Sequence, residues 1–306
     1  MFVPFISEPK RIARRRERRE RERLERRKGG GGGRGGGGGG RGGSGSGSSS
    51  GGGIRQQSTS FGGTQKTTSA YSSGGGAATT ISSGLFAGRQ QGGGTRQQVY
   101  GTSQYGSGYP NQAGRGVDGR GFPFYFWPIG WGGLGFGGAA YLHTNQYGRP
   151  NNSSRPGGVM SYANFPSNAG NTTFFVVSDR DTVASLITDL SAECGDLLDK
   201  SKLPGSPIAY QENNTNMPQP ESTVQYYRAS SVSLTLDGYN NTGALQAEGT
   251  PDTPIPSYVN QTLLTCMNET IGEAAPLVDA DSSVSLIASP HLGSIGLLSC
   301  IIYFLS

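Results

Sequence analysis

Histidine is almost absent from this 306-residue chain, which has only His143 and His291, and cysteine is scarce, at Cys194, Cys266 and Cys300. The histidines lie far from each other and from the cysteines, so no Cys/His spacing of the zinc-binding kind occurs. Nucleophile–base chemistry lacks its usual base, and no G-x-S-x-G elbow, H-E-x-x-H or P-loop is present. The reading assigns no catalytic residue, no cofactor and no metal, and expects a protein that is not an enzyme. Apolar residues are also thin, at 33%, against roughly 45–50% in an ordinary globular chain. Glycine takes up much of the rest, 53 residues, and it brings no side chain to bury while losing the most backbone freedom on ordering. A core is therefore expected only in the last half, where glycine thins out.

Acidic residues are missing from the first half. Residues 1–28 carry twelve Lys/Arg against five Glu, and residues 29–170 carry ten Lys/Arg against Asp118 alone. Residues 171–281 reverse the sign, with fifteen Asp/Glu against four Lys/Arg. A basic arm on an acidic domain can associate with itself or engage separate partners.

Five segments follow. Residues 1–28 hold a basic Arg/Glu-rich run whose only apolar members from Lys10 on are Ile12, Ala13 and Leu24, which reads as a solvated tail or helix. Residues 29–120 form a Gly/Ser/Gln/Tyr-rich arm, expected to be a disordered coil. Its Arg-Gln-Gln triplets begin at Arg55, Arg89 and Arg96, with Tyr71, Tyr100, Tyr105 and Tyr109 between and after them. Spaced Arg and Tyr allow weak multivalent contacts. Residues 121–142, GFPFYFWPIGWGGLGFGGAAYL, are uncharged and aromatic. Their length would reach across a bilayer, but the prolines and glycines oppose a helix, so the strip is expected to pack on the following domain or to form an adhesive patch. Within it Gly133 to Gly138 matches G-x-G-x-x-G without the flanking strand and helix that would give the match meaning.

Residues 158–281 read as a small acidic α+β domain. VMSYANF and TTFFVVS are short strands, and Ser178 or Asp179 caps a helix to about Leu198. That helix recurs apolar at Val183, Leu186, Ile187, Leu190, Cys194, Leu197 and Leu198. Val224 to Leu236 alternates as one strand ending at Asp237-Gly238, and a second helix runs from Ser257 to Ile271 with Gly272 as its stop. Asp179/Asp181 and Asp279/Asp281 read as a helix cap and a solvated loop rather than as an acid/base pair. Residues 282–306 form a hydrophobic C-terminal anchor signal or tail.

Compartment is read from three features. N-x-S/T occurs at Asn151, Asn152, Asn171, Asn213, Asn240, Asn260 and Asn268, which marks them as N-glycosylation sites. Cys194 and Cys266 lie on the apolar faces of the two helices, so in an oxidising compartment they would pair, stabilising by roughly 2–4 kcal/mol. Asp281, Ser282 and Ser283 offer a small-residue site, followed by a spacer and the apolar end LGSIGLLSCIIYFL, the layout of a lipid-anchor signal. A tail anchor from about Leu286 is the rival reading. Removal of the tail would take Cys300 with it.

The stretches QVYGTSQYGSGYP (98–110), GRGFPFYFWPIGWGG (119–133), NSSRPGG (152–158), QYYRASSVSLTLDGYNNT (225–242) and LLTCMNETIGEAAPLVD (263–279) carry a resemblance. In them the chain resembles a glycine-rich secreted or surface protein family of mushroom-forming basidiomycete fungi. The resemblance implies a secreted or surface-anchored protein and assigns no catalytic residue. The family opens with a hydrophobic leader, whereas Met1 here leads almost directly into the Arg/Glu run. The expectation is that a leader is missing from this sequence, since sequons and an apolar tail would otherwise serve no purpose. The function expected is a fungal cell-surface or secreted glycoprotein that is adhesive or structural through its arm. Its partners would be wall polymers or copies of itself, with membrane attachment through the C-terminal end. The alternative is an intracellular RNA-binding protein using Arg34, Arg41, Arg115 and Arg120, which lie in GGRGG or GRG contexts.

Overall fold

A computed structural model describes residues 54–109, 116–131, 146–212, 214, 216–246 and 250–280. The strands are β1 (Gln56–Phe61), β2 (Thr64–Ser69), β3 (Thr79–Thr80), β4 (Gln90–Gln91), β5 (Met160–Pro166), β6 (Thr173–Asp179), β7 (Ile208–Ala209), β8 (Thr223–Tyr227), β9 (Val232–Leu236) and β10 (Leu277–Val278), and the helices are α1 (Arg180–Glu193) and α2 (Gln261–Ala274). An antiparallel five-stranded sheet of order β7-β5-β6-β9-β8 forms the centre, with a three-stranded sheet β1-β2-β10 and a β3-β4 pair beside it.

Strand alternation sorts the central sheet into two faces. Ala163, Phe165, Phe174, Val176, Val232, Leu234 and Leu236 share one face by register and are fully buried. α1 packs on β5 and β6 over this face, and α2 packs on α1 and β8. α1 begins where expected: the Asp179 carboxylate accepts from the Thr182 N–H at 2.9 Å, and Val183, Leu186 and Leu190 are buried. The observed helix ends at Glu193, with Cys194 as its cap residue.

The opposite face is where the structure departs most from expectation. Tyr227 sends its hydroxyl to Asn268 on α2 at 2.7 Å, so its neighbour Tyr226 points to the other side. There it meets Tyr105 edge-on at 5.6 Å and accepts a hydrogen bond from the Trp131 indole at 3.1 Å. The layer over this face is built from the glycine-rich segment. Val99, Tyr105, Tyr109, Val117, Phe122, Phe124, Phe126, Ile129 and Trp131 are all buried in the same core as the C-terminal residues. The expected disordered arm of residues 29–120 is thus corrected for residues 54–109 and 116–120, and the aromatic strip is core rather than adhesive patch over residues 121–131. Residues 1–53, 132–145 and 281–306 lie outside the described residues, and with them the Arg/Glu run, the poly-glycine stretch and the anchor signal.

Composition misleads here because these glycines serve close backbone approach. Gly106 has φ +84°, and a Cβ on it would stand 2.2 Å from the Gly116 carbonyl oxygen. The chain then makes its hydrogen bonds with irregular backbone. Val99 to Thr102 runs along the outer edge of β8, with Gly101 N–H to Tyr226 O at 2.9 Å, Tyr226 N–H to Thr102 O at 2.8 Å and Arg228 N–H to Val99 O at 2.6 Å.

Two further corrections concern residues 224–274. The single expected strand is a hairpin of β8 and β9, because Arg228, Ala229 and Ser230 all turn left-handed, at φ +50°, +49° and +59°. Three such residues together cost roughly 1–2 kcal/mol each, offset by the bonds that their side chains and backbone make. α2 passes through Gly272 to Ala274, so that glycine is not the stop. Its hydrogen faces the Tyr100 ring, where a Cβ would lie 2.0 Å from the nearest ring carbon.

Candidate functional site

Three features have the chemistry to be functional: the disulfide and the sequon asparagines, a set of internally bonded arginines, and one groove. Cys194, at the end of α1, and Cys266, within α2, form a disulfide with Cα atoms 5.9 Å apart, closing a separation of 72 residues. Thr270 Oγ1 lies 3.6 Å from Cys194 Sγ in the same buried pocket.

The sequon asparagines fall into distinct settings. Asn171 is exposed in the turn between β5 and β6, with φ +56°, and Asn240 is exposed after β9. Asn151 is also exposed, while Asn152 is half-buried, its side-chain oxygen accepting from the Ser154 N–H at 2.9 Å. Asn260 is the N-cap of α2: its oxygen accepts from the Leu263 N–H and its amide donates to Ser167 Oγ, both at 3.0 Å. Asn268 is half-buried and holds the Tyr227 hydroxyl. Asn213 lies outside the described residues, as do Asp281, Ser282 and Ser283. Asn268 shares α2 with Cys266 but bonds to Tyr227, and Asn151, Asn152, Asn171, Asn240 and Asn260 lie on separate loops or caps.

The arginines join the glycine-rich segment to the C-terminal half. Arg228 is fully buried and pairs with Asp179 at 2.8 Å. It also donates to Ser231 Oγ at 2.7 Å and to the Pro276 carbonyl at 2.8 Å, with its guanidinium 3.5 Å over the Phe126 ring. Burial pushes it down to about 10, a shift opposed by Asp179. Arg155 donates to the carbonyls of Tyr147, at 3.3 Å, and Trp127, at 3.1 Å, and to that of Pro128, and burial likewise pushes it down to about 10. The three Arg-Gln-Gln triplets act alike. Arg55 pairs with Asp189 and donates to Ser185 on α1. Arg89 donates to the Arg120 carbonyl and the Tyr147 hydroxyl, both at 3.3 Å. Arg96 caps α2 through the carbonyls of Gly272 at 3.2 Å and Ala275 at 2.7 Å, a favourable place for a cation. Arg120, one of the expected RNA contacts, donates to the Gly106 carbonyl at 3.0 Å and covers the Tyr109 ring. The repeated Arg-Gln-Gln triplet is the available signal, although nothing in the sequence names the partners.

The groove, of about 350 Å³, opens beside the ends of β6 and β9 and is lined by Phe175, Met217, Gln219, Glu221, Asp237 and Tyr239 among others. One Glu221 carboxylate oxygen is buried without a hydrogen-bond partner. Two carboxylates beside aromatic rings suit a hydroxylated or cationic ligand rather than an anion. Among the described residues that line it there is no thiol or imidazole. Among the described residues no cluster of His, Cys, Asp and Glu could hold a metal ion, and no helix is long and apolar enough to cross a membrane.

The chain matches no protein-family profile, no curated protein and no solved structure.

Proposed function

We propose that this protein is a non-enzymatic fungal cell-surface or secreted glycoprotein with a structural role. The observation that carries the reading is the Cys194–Cys266 disulfide joining α1 to α2, since a bridge of this kind persists in oxidising compartments. Exposed sequons at Asn151, Asn171 and Asn240 support it. Adhesive contacts, in this reading, fall to the part of the arm before Ile54 and to exposed side chains, because Tyr105, Tyr109, Phe122, Phe124, Phe126, Ile129 and Trp131 are consumed by the core. Tyr100, 42% exposed, and the half-buried Tyr125 remain open to a partner. Wall polymers and further copies of the chain are the partners proposed, with attachment through the C-terminal end.

RNA binding is less favoured because Arg120, the one of its four arginines among the described residues, is engaged with the Gly106 carbonyl and the Tyr109 ring, while Arg34, Arg41 and Arg115 lie outside them. The deciding experiment is mass spectrometry on the protein purified from its own cells, before and after enzymatic deglycosylation, with thiols alkylated beforehand. Glycan on Asn171 or Asn240 with Cys194 and Cys266 linked is the expected result. Bare asparagines and alkylated Cys194 and Cys266 in a cytosolic fraction would overturn the proposal.

A further inference from the structure

The described sheets protect nearly all their edges. β8 is covered by Val99 to Thr102, and β7 and β10 are two residues long. β1 is different: its six residues pair with β2 on one side, and no strand among the described residues pairs with the other. The Arg55 carbonyl accepts from the Ala70 N–H at 3.0 Å. By antiparallel alternation, the backbone groups of Arg55, Gln57, Thr59 and Phe61 then face β2, while those of Gln56, Ser58 and Ser60 face outward. The side chains of Gln56, Ser58 and Ser60 are exposed as well. Natural edges are guarded by lysine, proline, a bulge or shortness. The stretch QQSTSF has no charge and no proline, and its pairing with β2 runs without a register shift.

We infer that β1 is a strand-addition surface whose partner is β1 of a second copy of this chain. Only an extended backbone satisfies alternating outward N–H and C=O groups, which sets aside a sugar or a nucleic acid as the occupant. The edge is self-complementary: with Ser58 on the two-fold axis, Ser58 pairs with itself, and Gln56 of each copy pairs with Ser60 of the other. Every outward backbone group is then used, no like charges meet, and the contact is isologous and closed. β10, after which the described residues end at Ala280, lies on the far edge of the same sheet. A single six-residue ladder is small beside a standard interface, so the dimer is a weak one, with Kd on the order of 10–100 μM. Self-association at this strand does not depend on the cell-surface reading, and its test contains no compartment readout.

Sedimentation equilibrium on the full chain tests it, between about 1 and 500 μM, a range set to bracket that affinity. A reversible monomer–dimer equilibrium is expected, with Ser58→Lys and Ser58→Pro each weakening it at least about tenfold, since the first sets two ammoniums face to face and the second removes the central outward N–H. Both substitutions leave the β1–β2 backbone ladder in place and remove only the exposed bond from the Ser58 hydroxyl to Gln65 Oε1 at 2.9 Å, and circular dichroism verifies the fold. Should either variant fail to fold, Ser58→Cys decides: oxidation of a dimer in this register gives a covalent dimer linked through position 58, identified by peptide mapping. A wild-type chain monomeric at the top concentration, a dimer indifferent to Ser58→Lys, or no crosslink through position 58 overturns the inference.

Discussion

Arg228 and Asp179 form an ion pair in which the arginine side chain has no solvent exposure and the aspartate only 4%. Asp179 also caps α1, and Arg228 stands in the left-handed turn between β8 and β9, so one contact fixes a helix start to a hairpin. Breaking a buried pair by removing one partner strands the other charge and costs about 3–5 kcal/mol. Arg228→Met is therefore expected to lower the urea midpoint markedly. Arg228→Met combined with Asp179→Asn should lose less than the sum of the two single changes, because no charge is left buried alone while the cap survives. Equilibrium unfolding of the four proteins gives the coupling energy directly.

The placement of Trp131 gives a second expectation. If the glycine-rich segment is core, Trp131→Ala should cost about 3–5 kcal/mol, as for other large buried aromatics. Limited proteolysis should meanwhile leave a resistant body that retains Val99 and Trp131 together with α1 and α2. A midpoint unchanged by Trp131→Ala would return the segment to a peripheral coil.

These first residues show what periodicity can and cannot reveal. α1, β5 and β6 were readable because a cap residue, a 3.6-residue period and short β-rich runs each leave a local mark, and Asp179 with Val183, Leu186 and Leu190 supplied it. The layer from Val99 to Trp131 has no period: its backbone hydrogen bonds go to carbonyls such as those of Tyr226 and Ser230, more than a hundred residues away. Glycine content was read as entropy to be lost, whereas at Gly106 it permits two backbones to touch. The hairpin was missed for a related reason, since nothing in Arg228-Ala229-Ser230 favours a left-handed turn locally. Tertiary contacts of Arg228 hold it there. The cysteine pair was legible from helix faces, but the groove beside Tyr239 was not, because its walls come from separate loops.

Gly272 and Tyr100 supply a third test. An added methyl group at position 272 would overlap the ring, so Gly272→Ala should destabilise by about 1–3 kcal/mol through overpacking, although alanine favours a helix interior by up to ~1 kcal/mol. In a Tyr100→Ala background the ring is gone and the same change should be neutral or stabilising. The reversal of sign, read by thermal or urea unfolding, separates a steric contact from a backbone requirement.

The disulfide should act mainly on the unfolded chain. Closing a separation of 72 residues corresponds to about 4 kcal/mol of loop entropy, a large share of a typical 5–15 kcal/mol total. Reduction, or Cys194→Ala with Cys266→Ala, is expected to move the urea midpoint down by that equivalent while circular dichroism of the folded protein stays the same. An unchanged midpoint would show that the bridge contributes little beyond helix packing.

The last expectation concerns Asp189, which faces Arg55 and Tyr71 from α1. Burial pushes its carboxyl up to about 6, with the Arg55 charge opposing the rise. An unfolded aspartate titrates near ~3.9, so between these values the folded state binds the proton more tightly. Asp189 by itself therefore favours folding most at the acid end, and that contribution is lost as pH rises from about 4 through 6. Arg55→Gln removes the opposing charge and should raise the midpoint further, extending the loss toward neutral pH. A carboxyl-carbon NMR titration of Asp189 reads both positions. A midpoint near ~4 in the wild type, or no upward movement in the variant, would show that the carboxylate is solvated and that Arg55 does not hold β1 to α1 electrostatically.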